Sequence, residues 1–330
     1  MISTPDFENR AKEMFDWLRA VPYEVSRQER LYSADELYRG YKPSNDEVSD
    51  RESFAECYDS RVYKHFMNQG KIAMDVNESL ARTLHDHGIH TALKTFLKEH
   101  DPLRCIGIMG GHALLRNDPL FASVAMLSKR LTEQGFFMVS GGGPGAMEAT
   151  HLGAWMAGRT DDEAGETIRM LASAATSFKD WRWLSSAFEV MRRYPQERYV
   201  SLGIPTWLYG HEPSTPFATH IAKYFTNSVR EDTILTVAFG GIIYTPGSAG
   251  TLQEVFQNAV QDHYLSFGFS SPMIFMGKRF WTEDIPIYSL MRHMEITGRY
   301  KNLLLTLTDD PAEIERVLED FQMKRLLSTR

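Results

Sequence analysis

The chain has 330 residues, 43% hydrophobic and 24% charged, which is typical of a folded protein rather than a disordered one. Its formal net charge of −7 excludes an overall basic field and argues against polymeric nucleic acid as a partner. The two cysteines, Cys57 and Cys105, exclude a disulfide framework and favour a reducing, cytoplasmic compartment. The chain starts without an export-signal pattern, and its longest mostly apolar run, 233–245, is too short for a membrane span.

Residues 1–100 are predicted to form a helical N-terminal segment. Charged stretches with helical spacing occur at 8–20, 34–41, 78–87 and 92–100, the last two separated by a break around Gly88. Glycine is rare in this part, and no alternating strand pattern is present. We expect the segment to pack against the domain that follows it.

Residues 101–330 alternate between short apolar runs and helical patterns, which predicts one further domain built on a parallel sheet. Strands are predicted at 105–109, 136–139, 199–202, 241–244, 273–276 and 303–307. Helices are predicted at 119–134, 146–156, within 161–195, at 218–225, from 228, and at 251–264 and 311–321. The predicted fold class is α/β, a doubly wound, Rossmann-like parallel sheet with helices on both faces.

Three glycine-bearing loops follow predicted strands, where ligands bind in such a sheet. Glycine lets the backbone approach a ligand, and the backbone amides at the N-terminus of a helix attract an anion. A phosphate group is therefore the expected ligand. Each loop taken alone is equally well explained by a tight turn. The candidate binding residues are Gly110, Gly111, His112, Gly141, Gly142, Gly143, Gly145, Gly247, Ser248, Ala249, Gly250 and Thr251.

Other ligand classes fit these loops poorly. Gly141, Gly143 and Ala146 match a dinucleotide fingerprint, but no strand ending in an acid follows at the distance needed to hold a ribose. No Gly-Lys-Ser/Thr follows any of the glycines, which excludes a P-loop. No lysine lies in a recognisable pyridoxal phosphate context, and no redox cofactor or metal is expected.

Two motifs carry a family resemblance. SGGGPGAMEA at 140–149 and PGSAGTLQE at 246–254 resemble the paired signature, GGGxxGxM and PGGxGTxxE, of the LONELY GUY family. MGGH at 109–112 resembles the bacterial branch of pyrimidine/purine nucleotide 5′-monophosphate nucleosidases. The resemblance covers about 104–321 and implies a homodimeric phosphoribohydrolase that releases free base and ribose 5-phosphate from nucleoside 5′-monophosphates.

The chain departs from the family pattern at several positions. Ser248 replaces the second glycine of the second motif, and Gln253 stands where an acid is common. Upstream, Arg230 matches the arginine of Met-His-x-Arg-Lys, whereas the histidine and the lysine are absent. The alternative hypothesis is therefore a nucleotide-binding or sensor protein of the same fold that has lost hydrolysis.

Glu254 and Arg230 are the predicted catalytic residues. A carboxylate near the anomeric carbon stabilises the positive charge that develops on the ribose or activates water. Spacing alone favours Glu254 as the partner of Thr251 in a capping box, and the resemblance favours catalysis. Arg230 is predicted to bind phosphate or orient Glu254; alternatively it is solvated in the first turn after a Ser228–Glu231 capping box.

The remaining candidates keep two interpretations each. Glu148 either reaches the ribose hydroxyls or is a solvated acid, and His112 either contacts the ligand or is a hydrogen-bonded loop residue. A cluster of three histidines lacks the spacing of a metal site, and three aromatic residues fit packing better than base stacking. These are His85, His87 and His90, and Trp181, Trp183 and Phe188. The polar turn at 211–216 is a candidate wall of a base pocket.

Overall fold

The computed structural model describes residues 4–27 and 29–328, and it confirms the predicted α/β fold class. Seven strands form one parallel sheet in the order β4-β3-β2-β1-β5-β6-β7. The strands are β1 (Cys105–Met109), β2 (Phe137–Ser140), β3 (Ser201–Gly203), β4 (His220–Ile221), β5 (Gly241–Tyr244), β6 (Pro272–Phe275) and β7 (Leu304–Leu307). The strand order reverses between β1 and β5, so a ligand crevice is expected at their carboxyl ends.

Helices precede the sheet and connect its strands. They are α1 (Thr4–Ala20), α2 (Ala34–Leu37), α3 (Glu47–Ala55), α4 (Tyr58–Asn68), α5 (Val76–Leu97), α6 (Pro119–Glu133), α7 (Ala146–Trp155), α8 (Asp161–Ala174), α9 (Arg182–Arg193), α10 (Asn227–Leu235), α11 (Ala249–His263), α12 (Ile287–Ile296) and α13 (Pro311–Ser328). Within the ranges that the structure describes, none of them has the length and apolarity needed to cross a bilayer.

Both faces of the sheet are buried, as near-continuous apolar strands require. In β1, Ile106 and Ile108 belong to one cluster of buried side chains, whereas Cys105 and Met109 belong to another. The second cluster also contains side chains of the N-terminal segment, among them Val62. The segment therefore shares a hydrophobic core with one face of the sheet.

The N-terminal segment also covers the edge of the sheet at β4. Tyr32 donates its amide to the Ile221 carbonyl at 3.0 Å, and the Ile221 amide donates back to the Tyr32 carbonyl at 2.8 Å. This antiparallel bridge satisfies backbone groups that an exposed edge strand would leave unpaired.

The predicted break around Gly88 is wrong, because α5 runs without interruption from Val76 to Leu97. A Cβ at Gly88 would lie 2.8 Å from the Arg27 carbonyl oxygen. Glycine at this position allows the backbone of Arg27 to pack closely against α5. This packing offsets the low helix propensity of glycine.

The predicted helix at 218–225 is also wrong. This stretch contains β4, which pairs with β3 through Leu202–His220 and Gly203–Ile221. Ala218, Ile221 and Phe225 are all buried. A short, mostly buried run has no polar face, so its periodicity does not separate a helix from a strand.

Candidate active site

A cleft of about 250 Å³ lies at the carboxyl ends of β1, β2 and β5, where the strand order reverses. Its walls come from all three predicted glycine loops and from the start of α10. It brings together these predicted residues: Gly110, Gly111, His112, Gly141, Arg230, Ser248, Gly250, Thr251 and Glu254.

Direct backbone contacts hold the three loops together. Gly111 donates its amide to the Pro246 carbonyl at 3.0 Å, and its own carbonyl accepts from the Ala146 amide at 3.2 Å. Gly145 has a φ of +71°, and a Cβ there would overlap the Gly111 carbonyl oxygen. Glycine is required at this position because both the backbone conformation and the available space exclude a side chain.

Several predicted loop residues support the cleft from outside its wall. Gly142, with a φ of +70°, donates its amide to Ser140 Oγ, and Gly143 lines a small adjoining recess. Gly247 belongs to the turn into α11, and Ala249 is the first residue of that helix; neither is among the lining residues that the structure describes.

The start of α11 is suited to an anion. Ser248 is its N-cap residue and makes no side-chain capping bond. Leu252 is the first residue whose amide bonds back to Ser248, at 3.1 Å, which leaves the preceding amides of the first turn without a helical acceptor. Amides of this kind, together with the helix dipole, bind phosphate groups.

Glu254 is a buried carboxyl group in the wall of the cleft. It is 6% exposed, and burial raises its pKa to about 7, although the nearby Arg230 opposes this rise and Glu231 adds to it. A carboxyl group with a pKa near neutrality is able to exchange a proton at physiological pH.

Arg230 lies beside Glu254 and is not a solvated residue. Its Nη1 is 3.6 Å from Glu254 Oε1, and its Nε donates to the Ile204 carbonyl at 2.9 Å. A Cβ at Gly141 would overlap Arg230 Nη2, so this glycine makes room for the guanidinium group.

Neither of the two capping boxes that were the alternatives for Glu254 and Arg230 forms. The box at 251–254 does not form, because α11 begins earlier, at Ala249, and its N-cap residue makes no side-chain bond. The box at 228–231 does not form either, since α10 begins at Asn227 without a side-chain cap. The carboxyl group in the cleft is therefore not used to cap its own helix.

A carboxylate from the N-terminal segment fixes the beginning of α10, the helix that carries Arg230. The two oxygens of Asp86 accept the amides of Phe225 and Thr226, both at 2.9 Å. Asp86 Oδ1 also lies 3.1 Å from His85 Nδ1. No sequence motif indicates this role, because Asp86 lies about 140 residues before its partners.

The structure does not bring Glu148 to the cleft, and the solvated interpretation of it is wrong. Its side chain is 1% exposed; Oε1 accepts from Arg116 Nε at 3.0 Å and Oε2 from Trp183 Nε1 at 2.9 Å. Arg116 also donates to the Trp183 carbonyl at 2.9 Å. Glu148 therefore anchors the beginning of α9.

A larger pocket of about 590 Å³ adjoins the cleft, and His112 and Glu212 line both. The predicted polar turn contributes residues 211–213 to its wall. Two of the predicted aromatic residues and three residues of the N-terminal segment also line it: Trp181, Trp183, Asp50, Arg51 and Phe54. The contribution of the N-terminal segment is one that no sequence motif indicated.

Phe188 and His85 have packing and structural contacts. Phe188 packs edge-on against Tyr38, with ring centroids 5.6 Å apart. His85 lies within hydrogen-bond distance of Asp86 and, through Nε2, of the Tyr32 hydroxyl at 3.0 Å. Among residues 4–27 and 29–328, no three potential ligands converge as a metal site would require.

Comparison with known proteins finds no matching family model and no matching curated protein. Solved structures that are similar include TM1055, a structural genomics target, at 16% identity and a TM-score of 0.42; the match covers 66% of this chain and 98% of that one. A molybdenum cofactor binding protein from the phototrophic bacterium Rippkaea orientalis matches at 13% identity and a TM-score of 0.39, covering 66% of this chain and 96% of that one.

Proposed function

We propose that the protein hydrolyses the N-glycosidic bond of nucleoside 5′-monophosphates, releasing free base and ribose 5-phosphate. The observation that carries this proposal is Glu254, a buried carboxyl group with a pKa of about 7 in the helix whose first amides face no helical acceptor. Phosphate bound at those amides would hold the ribose next to this carboxylate. Arg230 is close enough to contact the same ligand.

The proposed reaction uses residues of the cleft. The C1′–N bond breaks with its electron pair passing to the base, which takes up a proton from solvent. Water adds its oxygen to C1′ and gives a proton to the Glu254 carboxylate, whose negative charge also stabilises the cationic ribose. Arg230 would neutralise phosphate charge and keep Glu254 oriented.

The resemblance of the second and third loops to the LONELY GUY signature supports the same activity, since members of that family are phosphoribohydrolases. The direct experiment incubates the purified protein with AMP, GMP, CMP and UMP and measures free base by chromatography. Release from at least one nucleotide is the expected result. Binding of a nucleotide without release from any of the four would overturn the hydrolase proposal.

The alternative is a binding or sensor protein, which the replacement of glycine by Ser248 favours. Ser248 is exposed at the N-cap of α11 and offers a hydroxyl to a bound phosphate. Stoichiometric binding with intact nucleotide recovered after prolonged incubation would select this alternative.

The pH dependence of the reaction is expected to follow Glu254. Because the ionised carboxylate is the active form, kcat/KM should rise with pH through about 7 and level off above about 8. Glu231 raises the pKa of Glu254, so Glu231→Gln should move this rise to lower pH. The measurement is kcat/KM for the best nucleotide between about pH 5 and pH 9 in both proteins.

The nucleotide phosphate, like other phosphate monoesters, titrates at about pH 6, and its ionisation also affects kcat/KM. The shift in Glu231→Gln separates the two causes, because a substitution in the protein leaves the free nucleotide unchanged. An identical rise in both proteins would show that Glu254 does not govern the profile.

Asp86 is expected to act on catalysis by positioning α10. Asp86→Asn removes one of the two acceptors that hold the Phe225 and Thr226 amides, so Arg230 should shift relative to Glu254. We expect kcat to fall on the order of tenfold. The rise in kcat/KM should move to higher pH, because a displaced Arg230 no longer lowers the pKa of Glu254.

The control is Glu99→Gln, an exposed substitution in the same N-terminal segment, which should change neither quantity. Lower thermal stability of Asp86→Asn with an unchanged pH profile would mean that Asp86 supports the fold without positioning Arg230.

A further inference from the structure

The pocket next to the cleft has the composition of a ligand site. Its volume of about 590 Å³ lies in the usual range for small-molecule pockets. Phe178 and Trp181 supply aromatic surface, and both are only partly buried. Since His112 and Glu212 border both spaces, a ligand held in the cleft by its phosphate would extend past these two side chains into the pocket.

The wall that carries the aromatic residues is held by buried contacts. Arg116 and Glu148 form a buried ion pair that binds both the carbonyl and the indole nitrogen of Trp183. Arg116 Nη1 also donates to Ser186 Oγ at 2.9 Å. A wall fixed in this way is formed before the ligand arrives, which reduces the cost of binding.

Glu212 is the polar group at the junction of the two spaces. Its side chain is 16% exposed, and its backbone amide donates to the Tyr209 carbonyl at 2.8 Å, which fixes its position. His112 Nε2 and His211 Nε2 each lie 3.7 Å from Glu212 Oε1, beyond hydrogen-bond distance. Among the described residues, no donor makes a hydrogen bond to this carboxylate.

A partly buried carboxylate without a hydrogen-bond donor from the protein is stabilised by N–H donors of a ligand, and two adjacent donors satisfy both oxygens. Guanine presents N1–H and the 2-amino group side by side. Adenine and cytosine place a ring acceptor next to their amino group, and uracil flanks its N3–H with two carbonyl oxygens. The carboxylate thus repels part of the edge of every common base except guanine.

We propose that Glu212 is the specificity-determining residue of the site and that it binds the Watson–Crick edge of guanine, with the base against Phe178 and Trp181. This inference rests on the proposed function, because it assumes a nucleotide phosphate in the cleft. It identifies guanosine 5′-monophosphate as the preferred ligand.

The test compares GMP with IMP, which lacks only the 2-amino group. Binding is measured by isothermal titration calorimetry in the Glu254→Gln protein, so that ligand is not consumed. We expect GMP to bind on the order of tenfold more tightly than IMP. Adding Glu212→Gln should reduce this ratio below about threefold, because the amide offers one acceptor and one donor.

Two further variants and a third ligand serve as controls. Glu197→Gln, an exposed matched substitution, should keep the ratio. Trp181→Ala should weaken GMP and IMP equally, since stacking does not distinguish them. Ribose 5-phosphate should bind equally tightly to the Glu254→Gln protein with and without Glu212→Gln, which would show that the cleft remains folded.

Equal affinities for GMP and IMP in the Glu254→Gln protein, or a ratio that survives the addition of Glu212→Gln, would overturn the inference. The hydrolase proposal is tested separately by base release from the unmodified protein. GMP-selective binding without release of base would overturn the hydrolase proposal and support the guanine site. Release of base with equal affinities for GMP and IMP would support the hydrolase proposal and overturn the guanine site.

Discussion

Glu254→Gln is expected to abolish base release from nucleoside monophosphates while nucleotide binding persists. Glutamine has nearly the shape of the carboxyl group but neither accepts the proton of the attacking water nor carries the charge that stabilises the cationic ribose. We expect kcat to fall on the order of a thousandfold or more. The measurements are free base by chromatography and nucleotide affinity by calorimetry.

Glu231→Gln is the matched control, since it neutralises another carboxylate that lines the same cleft. It should retain turnover above about pH 8, where Glu254 is ionised in both proteins. Full activity in Glu254→Gln, or loss of nucleotide affinity along with turnover, would contradict a catalytic role for Glu254.

A stability measurement separates chemistry from folding in the same variant. The folded pKa of Glu254, about 7, is above the ordinary value of 4.5, so the folded state disfavours the ionised form. The cost to stability is therefore absent below about pH 4.5 and complete above about pH 7. Glu254→Gln should unfold at the same temperature as the parent protein or a higher one at about pH 8, although it is inactive.

Six of the seven strands of the sheet were predictable because each of them depends on a short local pattern. A buried parallel strand is an apolar run that ends in a glycine loop, as at 105–111 and 241–247. The predictions failed where contacts with residues distant in sequence decide the secondary structure. Gly88 packs on the Arg27 backbone within a continuous helix, and the stretch at 218–225 contains a strand because β3 pairs with it.

The same distinction between local patterns and contacts of distant residues explains which residues of the site were predictable. The glycine loops and Glu254 lie in contiguous motifs, so their convergence at one sheet edge followed from the parallel topology. Glu148 belongs to the same kind of motif, yet its direction is set by Arg116 and Trp183, which the motif does not contain. Asp86 has no motif at all, and only the packing of the N-terminal segment reveals its contact with the start of α10.

Lys223→Met is expected to destabilise the protein more than any surface substitution. Lys223 is 1% exposed, and its Nζ lies 2.7 and 2.9 Å from the two oxygens of Asp59, itself 4% exposed. This ion pair connects α4 of the N-terminal segment, which contains Asp59, with Lys223 in the chain after β4. Removing the lysine leaves the Asp59 charge buried with Trp207 Nε1 as a remaining donor, at 2.9 Å.

An uncompensated buried charge of this kind costs about 3–5 kcal/mol in free energy of unfolding. The measurement is urea denaturation followed by tryptophan fluorescence at neutral pH. Glu166→Gln is the control: it breaks the pair between Glu166 and Arg193, both about half exposed, and should leave the midpoint almost unchanged.

The double variant Asp59→Asn/Lys223→Met identifies the source of the loss. Asparagine keeps an acceptor for Trp207 and removes the charge, so the double variant should be more stable than Lys223→Met alone, although it carries one more substitution. If the losses of unfolding free energy in the single variants Lys223→Met and Asp59→Asn simply add in the double variant, the stabilisation comes from packing of the lysine side chain. If the second substitution restores stability, the penalty arises from the charge of Asp59, and the ion pair is what makes its burial in the shared core tolerable.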